Sequence, residues 1–333
     1  AASSIVACGK VITFMTNLDE KVSMIISAII IVAYTLLGGF KAVCWTDFFQ
    51  GLLMLVALLA VPIVMVAIGD FDASKNEAFT AGVTAFSTNP FNAPWHEIVS
   101  GLAWGLGYFG MPHILVRFMA IENSKKIKKA STVAISWLIL TLGAAIAIAY
   151  FGRTYLLSDG VALADKLLPG NQARVFIEIV LNLFPGFIAG ILLAAIVAAS
   201  MSTADSQLLV ASSSFTSDIY NPILRKGKAS DKETLWMGRI VVAIIAVVAF
   251  FIARSGLTST DSWASSIMAM VENAWGLFGA SFGPVVILSL FWKRFNYPGA
   301  VAGIVGGALV DVLWLVLFTD TVMTPVICDT QVY

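Results

Sequence analysis

Nine apolar runs, at 3–15, 22–40, 48–68, 97–120, 133–151, 186–215, 235–253, 263–291 and 299–318, constrain this chain more than anything else in it. A bilayer core of about 30 Å is crossed by about 20 helical residues, and a segment of that kind pairs its own backbone groups as a helix. All but the first run have about that length. Of 333 residues, 59% are hydrophobic and 12% charged, against roughly 25% charged in a soluble domain. The expected fold class is an all-α polytopic membrane protein, multi-pass in the plasma (inner) membrane, with nine helices of which the first is incomplete. Between two of the runs, 171–183 places Val175, Phe176, Ile179, Val180 and Leu183 at helical spacing. A short amphipathic helix lying on the surface is expected there.

Twenty basic and twenty acidic residues cancel, so nothing points to nucleic acid as a partner. Lysine and arginine nevertheless collect in alternate connections. Lys125, Lys126, Lys128 and Lys129 lie in the first, Arg225, Lys226, Lys228 and Lys232 in the second, Lys293 and Arg294 in the third. Short basic connections stay cytoplasmic, so those at 70–95, 152–185 and 254–262 are expected to face outward. Cys8, Cys44 and Cys328 lack metal-ligand spacing and carry no chemistry. The chain opens at AASSIVACG, without initiator methionine, basic stretch or cleavage signal, and is expected to be a fragment of a longer protein.

One run carries its own interruption. Residues 101–112 read GLAWGLGYFGMP, four glycines and a proline inside an apolar stretch. Glycine raises the entropy cost of helix and proline removes a hydrogen bond, so a break is expected, of the sort that lines a transport site. Trp104 and Tyr108, spaced i, i+4, share a face and form a wall for an apolar or cyclic solute, the competing reading being an interfacial aromatic belt. Gly105, Gly107 and Gly110 would let a solute approach the backbone near the break. His113 follows Pro112 and is expected to satisfy backbone carbonyls rather than relay protons.

Polar groups inside hydrocarbon need partners. In ASMSTADSQ, 199–207, helical spacing puts Ala199, Ser202 and Ser206 on one stripe with Thr203 and Asp205 beside it. Hydroxyls, one carboxylate and any carbonyl freed by local unwinding would suit a small hard monovalent cation. Ser212 to Ser214 are read instead as close-packing residues. Asp47 lies at a helix start by this reading, where capping and ion handling are not separable. Arg117 follows the break and is expected to snorkel, to pair with an acid such as Asp47, or to gate. Glu272, Asn273 and Trp275 are gate candidates, with Glu272 alternatively paired to a neighbouring helix.

Four stretches in order, GGFKAVCWTDFFQG, WGLGYFGMPHILVRFMA, FIAGILLAAIVAASMSTADSQLLVASSS and AWGLFGASFGPVVILSLFW, make the chain resemble the sodium/solute symporter family, most closely its proline-carrying branch. The resemblance implies a leucine-transporter-like inverted-repeat fold, here partial. Residues 1–333 would be a single transmembrane transporter domain, with 1–69 the remainder of the first repeat, 96–291 the second inverted repeat and 298–318 an additional C-terminal helix. The first core helix, which supplies carbonyls to sodium, would lie outside this sequence. It further implies Trp104, Tyr108 and Pro112 at the substrate, beside the Gly105 already read as substrate-lining, Ala199, Ser202 and Thr203 at sodium, and Asp47, Asp205 and Ser206 at a second cation site found in some members. Met111 departs from the glutamine of enteric proline carriers. The implied partners are sodium as coupling ion, proline or a similar small amino acid, and the lipid bilayer. The expected function is sodium-coupled symport, with no cofactor and no enzyme activity. The alternative is the membrane sensor of a two-component histidine kinase, which resembles the same family; a channel is a third reading.

Overall fold

A computed structural model describes residues 1–68, 95–158, 174–258 and 267–318. The described residues build helices α1 (Ala2–Thr16), α2 (Glu20–Gly39), α3 (Lys41–Ile68), α4 (Trp95–Gly107), α5 (Pro112–Met119) and α6 (Ile127–Ser158). They are followed by α7 (Val175–Leu183), α8 (Gly186–Ser214), α9 (Asp231–Thr258), α10 (Ile267–Phe291) and α11 (Tyr297–Phe318). Among the described residues, seven helical stretches are long and apolar enough to cross a membrane. The remaining two expected runs fall on the 15-residue α1 and on α4 with α5, which are split by the break. Of the expected outward connections, 70–94, 159–173 and 259–262 fall outside the described residues, as does Cys328, while α6 and α9 run on into the second and third as far as Ser158 and Thr258.

Two compact units divide the chain. The first comprises Ala1–Leu52, Gly107–Ala120 and Ala194–Ile304. Its core joins Ile5, Val6 and Cys8 of α1 to Met24 and Ile31 of α2, Ala204 and Leu208 of α8, and Val242, Ala246 and Ala249 of α9. Small residues set the helix spacing, because in lipid the attraction between helices is close packing rather than water exclusion. The Ser212 hydroxyl of α8 donates to the Gly238 carbonyl of α9 at 2.8 Å, and a Cβ on Gly238 would meet that hydroxyl at 3.2 Å. The packing role expected of Ser212 is therefore the observed one.

The second unit comprises Leu53–Leu106, Ile121–Leu193 and Val305–Tyr333. Here α7 is amphipathic as expected, with Leu181 and Asn182 exposed on one face and the other face packed on α6. Ile179 and Val180 are fully buried, and Ile179 fills the place where Gly152 of α6 lacks a side chain. Outside such contacts the apolar side chains remain exposed: Ile139 and Ile146 on α6 are 67% and 69% exposed. Apolar surface on that scale suits a hydrocarbon surround rather than water.

Two boundaries differ from expectation. Residues 20–68 are nearly continuous helix, interrupted at Gly39, where φ is 62° and ψ 179°. That conformation is essentially open to glycine alone. Local hydropathy falls between residues 40 and 48, but helix resumes at Lys41 because backbone geometry, not polarity, sets the interruption. Asp47 thus stands almost two turns inside α3, and the capping reading is corrected: its carboxylate is too far from the first amides of that helix. At the far end of α8, the helix continues as a π-helix from Phe215 to Leu224 instead of ending near 215. There Tyr220 donates to Glu233 at 2.7 Å, and Arg225 pairs with the same carboxylate at 2.7 Å.

Candidate functional site

The broken segment forms as its residues dictate. Helix α4 ends at Gly107, a 3-10 turn covers Tyr108–Gly110, Met111 is extended at φ −83° and ψ 110°, and α5 begins at Pro112. A residue preceding proline is pushed out of the helical region, and proline at a first helical position sacrifices no hydrogen bond. The turn then packs on α10. Tyr108 meets Trp275 edge to face, with centroids 5.0 Å apart and planes at 82°. Gly107 lies under the Trp275 indole, and Gly110 lies against the Phe278 carbonyl and Gly279.

Those contacts revise the role of two glycines. Gly107 and Gly110 are buried against α10 rather than open to a solute, since any side chain there would overlap an indole or a backbone carbonyl. Gly105 has open space around its Cα. Tyr108 is 47% exposed, while Trp104, one turn earlier on α4, is half-buried. Pairing of Tyr108 with Trp275 was not readable from spacing, because the partners stand 167 positions apart. Glu272 is half-buried on α10, one turn before Trp275.

On α8 the helix runs through 199–207 without unwinding, so no backbone carbonyl is freed there as anticipated. The hydroxyls converge all the same. Ser202 and Thr203 both donate to the Ala199 carbonyl, at 3.0 and 3.2 Å. A hydroxyl whose proton is committed to a carbonyl presents its lone pairs outward, as an oxygen ligand must. Ser202 is half-buried and Thr203 exposed, so neither is sealed from a cation. Two hydroxyl oxygens from one helix are a partial shell, and other groups would have to complete it.

One turn further on, a second polar cluster draws on four elements. Arg117 of α5 pairs with Asp47 of α3 through Nη2 and Oδ2 at 2.5 Å, and the same nitrogen donates to Ser206 Oγ at 2.6 Å. Ser206 Oγ stands 3.3 Å from both Asp47 Oδ2 and Asp205 Oδ1. Asp205 is fully buried, and Tyr34 of α2 donates to its Oδ2 at 2.6 Å, with the Met201 carbonyl also within reach at 2.9 Å. The ion-pairing role foreseen for Arg117 is thereby the observed contact. Tyr34 is the residue that sequence reasoning missed. A phenol closing the apolar run AIIIVAY, 28–34, was the available signal.

A buried carboxylate held by one phenol is sensitive to its loss. Tyr34→Phe should destabilise the protein by about 1.5–3 kcal/mol, the usual range for a hydrogen bond to a charged group. Thermal unfolding in detergent checks this: an unchanged midpoint would show that water replaces the phenol at no cost.

The sodium:solute symporter family profile matches residues 1–307. The sodium/proline symporter of Escherichia coli K12 is 41% identical over 317 residues, covering 94% of this chain and 60% of that protein. The high-affinity proline transporter of Bacillus subtilis is 40% identical over 319 residues, covering 94% and 63%. The chain thus spans about 60% of the length of the curated relatives it matches. Among solved structures, a substrate-bound, outward-open Na+-coupled sialic acid symporter superposes with a TM-score of 0.70 at 22% identity, over 99% of this chain and 69% of that one. The likeness establishes the leucine-transporter-like fold. With a family profile spanning most of its length and relatives at two-fifths identity, the chain belongs to the sodium:solute symporter family.

Proposed function

We propose that this chain is the larger part of a secondary active transporter that takes up proline, or a similar small amino acid, together with sodium by alternating access in the plasma membrane. The observation that carries this reading is the hydroxyl pair of Ser202 and Thr203, both donating to the Ala199 carbonyl midway along a membrane-long helix. The names of the relatives, sodium/proline symporters at about 40% identity, support the solute. Trp104, Gly105, Tyr108 and Pro112 contact or border the solute at the break, and Ala199, Ser202 and Thr203 ligate sodium. Trp275, Glu272 and Arg117 serve as gate and ion pair, and Asp47, Asp205 and Ser206 are the oxygens of a second cation position. Residues 1–69 are the remainder of one repeat, 96–291 the second inverted repeat, and 298–318 an additional helix.

Coupling then needs only a difference in affinity. Sodium on α8 binds the outward-open state better than the inward one, and by linkage it raises solute affinity by the same factor that solute raises its own. No covalent chemistry is required, and the carrier is not an enzyme. The test is the double substitution Ser202→Ala with Thr203→Ala in the full-length protein, assayed by labelled proline uptake into vesicles. The sodium concentration for half-maximal uptake should rise at least about tenfold, equivalent to about 1.4 kcal/mol of lost binding. Unchanged sodium dependence would refute the assignment, and absence of uptake by the unsubstituted protein would refute transport of proline itself.

A further inference from the structure

We propose that the groove between the far end of α8 and α9 holds a phospholipid whose headgroup ends in a primary ammonium, of the phosphatidylethanolamine class, with an acyl chain in the groove and the ammonium on Asp218. The inference goes beyond the transport reading and does not depend on the solute carried. A groove of about 530 Å³ runs between Ala211, Phe215 and Ile219 on one side and Ile244 and Ile245 on the other. Both helices are long and apolar enough to cross a membrane, so hydrocarbon is what meets this wall. Its form follows from the local contacts. Ser212 ties α8 to the Gly238 carbonyl at 2.8 Å, and Tyr220 ties the π-helix to Glu233 at 2.7 Å. Beside that pair of ties the wider i→i+5 turn begins at Phe215, and the small Ala211 and Ser214 leave the space against α9 unfilled.

Two polar side chains stand in this apolar wall, Ser214 and, about one turn on, Asp218. Their neighbours are committed within the helix: Ser213 donates to the Val210 carbonyl at 3.0 Å and Thr216 to the Ser212 carbonyl at 2.9 Å. Asp218 is exposed and makes no hydrogen bond or ion pair among the described residues, and the arginine that follows it, Arg225, is taken by Glu233 at 2.7 Å. A carboxylate at the edge of hydrocarbon calls for a positive partner and repels a lipid of net negative charge. A primary ammonium meets that need with three donors, and a hydrogen bond between two ionised groups is the strong kind. The phosphate of the same headgroup finds positive charge in the connection that follows, at Lys226 and Lys228. Zwitterionic lipid thus matches both signs at this end of the groove, whereas an anionic lipid matches one and opposes the other.

The experiment uses the full-length protein, purified in detergent and delipidated, then titrated separately with dioleoyl phosphatidylethanolamine, phosphatidylcholine and phosphatidylglycerol, with bound lipid counted by native mass spectrometry. The first phosphatidylethanolamine should bind about fivefold more tightly than phosphatidylglycerol, the worth of one charge near a membrane surface. Phosphatidylcholine, whose quaternary ammonium donates no hydrogen bond, should fall between them. Asp218→Asn should abolish the preference while the acyl chain still binds. Ile244→Trp, at a position 57% exposed, should fill the groove and weaken the first binding event for all three lipids. Phosphatidylglycerol binding as tightly as phosphatidylethanolamine would overturn the proposal, as would a preference that survives Asp218→Asn or binding untouched by Ile244→Trp. A dimer of the delipidated protein that Ile244→Trp dissolves, with no lipid preference, would overturn it in favour of a second copy in the groove.

Discussion

Gly110→Ala in the full-length carrier is expected to cut solute uptake by about an order of magnitude or more, whereas Gly101→Ala, nine residues earlier in the same segment, should leave it near its original level. The contrast comes from what each new methyl meets. At Gly101 there is open space, but at Gly110 the Cβ would overlap the Phe278 carbonyl and crowd Gly279, both backbone atoms of α10 that no rotamer change can move. Forcing a methyl into such a contact costs about 1–3 kcal/mol. Relief requires the 3-10 turn to lift from α10, which also opens the Tyr108–Trp275 contact at 5.0 Å. Uptake, together with tryptophan fluorescence of the purified protein, separates the outcomes. If Gly110→Ala behaves like Gly101→Ala in both, the break is not seated on α10 as described.

The second large effect concerns the join between α2 and α3. Gly39→Ala should lower the midpoint of thermal unfolding in detergent by several degrees, because a residue with a Cβ held at φ 62° and ψ 179° costs on the order of 1–3 kcal/mol. Space is not the obstacle, since no atom lies within 4 Å of the added Cβ. The penalty is therefore purely one of backbone conformation, and Gly39→Val should be worse than Gly39→Ala. Gly143→Ala, in the interior of α6 and also facing open space, should by contrast stabilise by about 0.5–1 kcal/mol through the lower chain entropy of alanine. Equal midpoints for Gly39→Ala and Gly143→Ala would remove the argument for a glycine-only join.

Much of this molecule is written in short-range terms. The apolar runs, the break at 101–112 and the hydroxyl pair at 202 and 203 each follow from residues within a few turns of one another; among the described residues seven runs form membrane-long helices, the break is a 3-10 turn and the hydroxyls lie on α8. Expectations that leaned on a boundary fared differently. The hydropathy dip before Asp47 suggests a helix start, yet α3 begins at Lys41 and carries it well inside. The amphipathic pattern of α7 is met by packing on another helix, where Ile179 finds Gly152. An amphipathic stripe states only that one face is covered, not by what.

Helicity and the site of the break were settled along the chain, since in hydrocarbon each backbone amide must find its partner within a few residues and proline and glycine locally remove that option. The partners of charged and aromatic groups were settled in three dimensions. Arg117 reaches Asp47 across 70 positions, Tyr34 reaches Asp205 across 171, and the glycines of the turn seat on α10. Buried charges must be neutralised by whatever the folded helices bring alongside. That choice rests on how helices distant in sequence pack, which no local periodicity encodes.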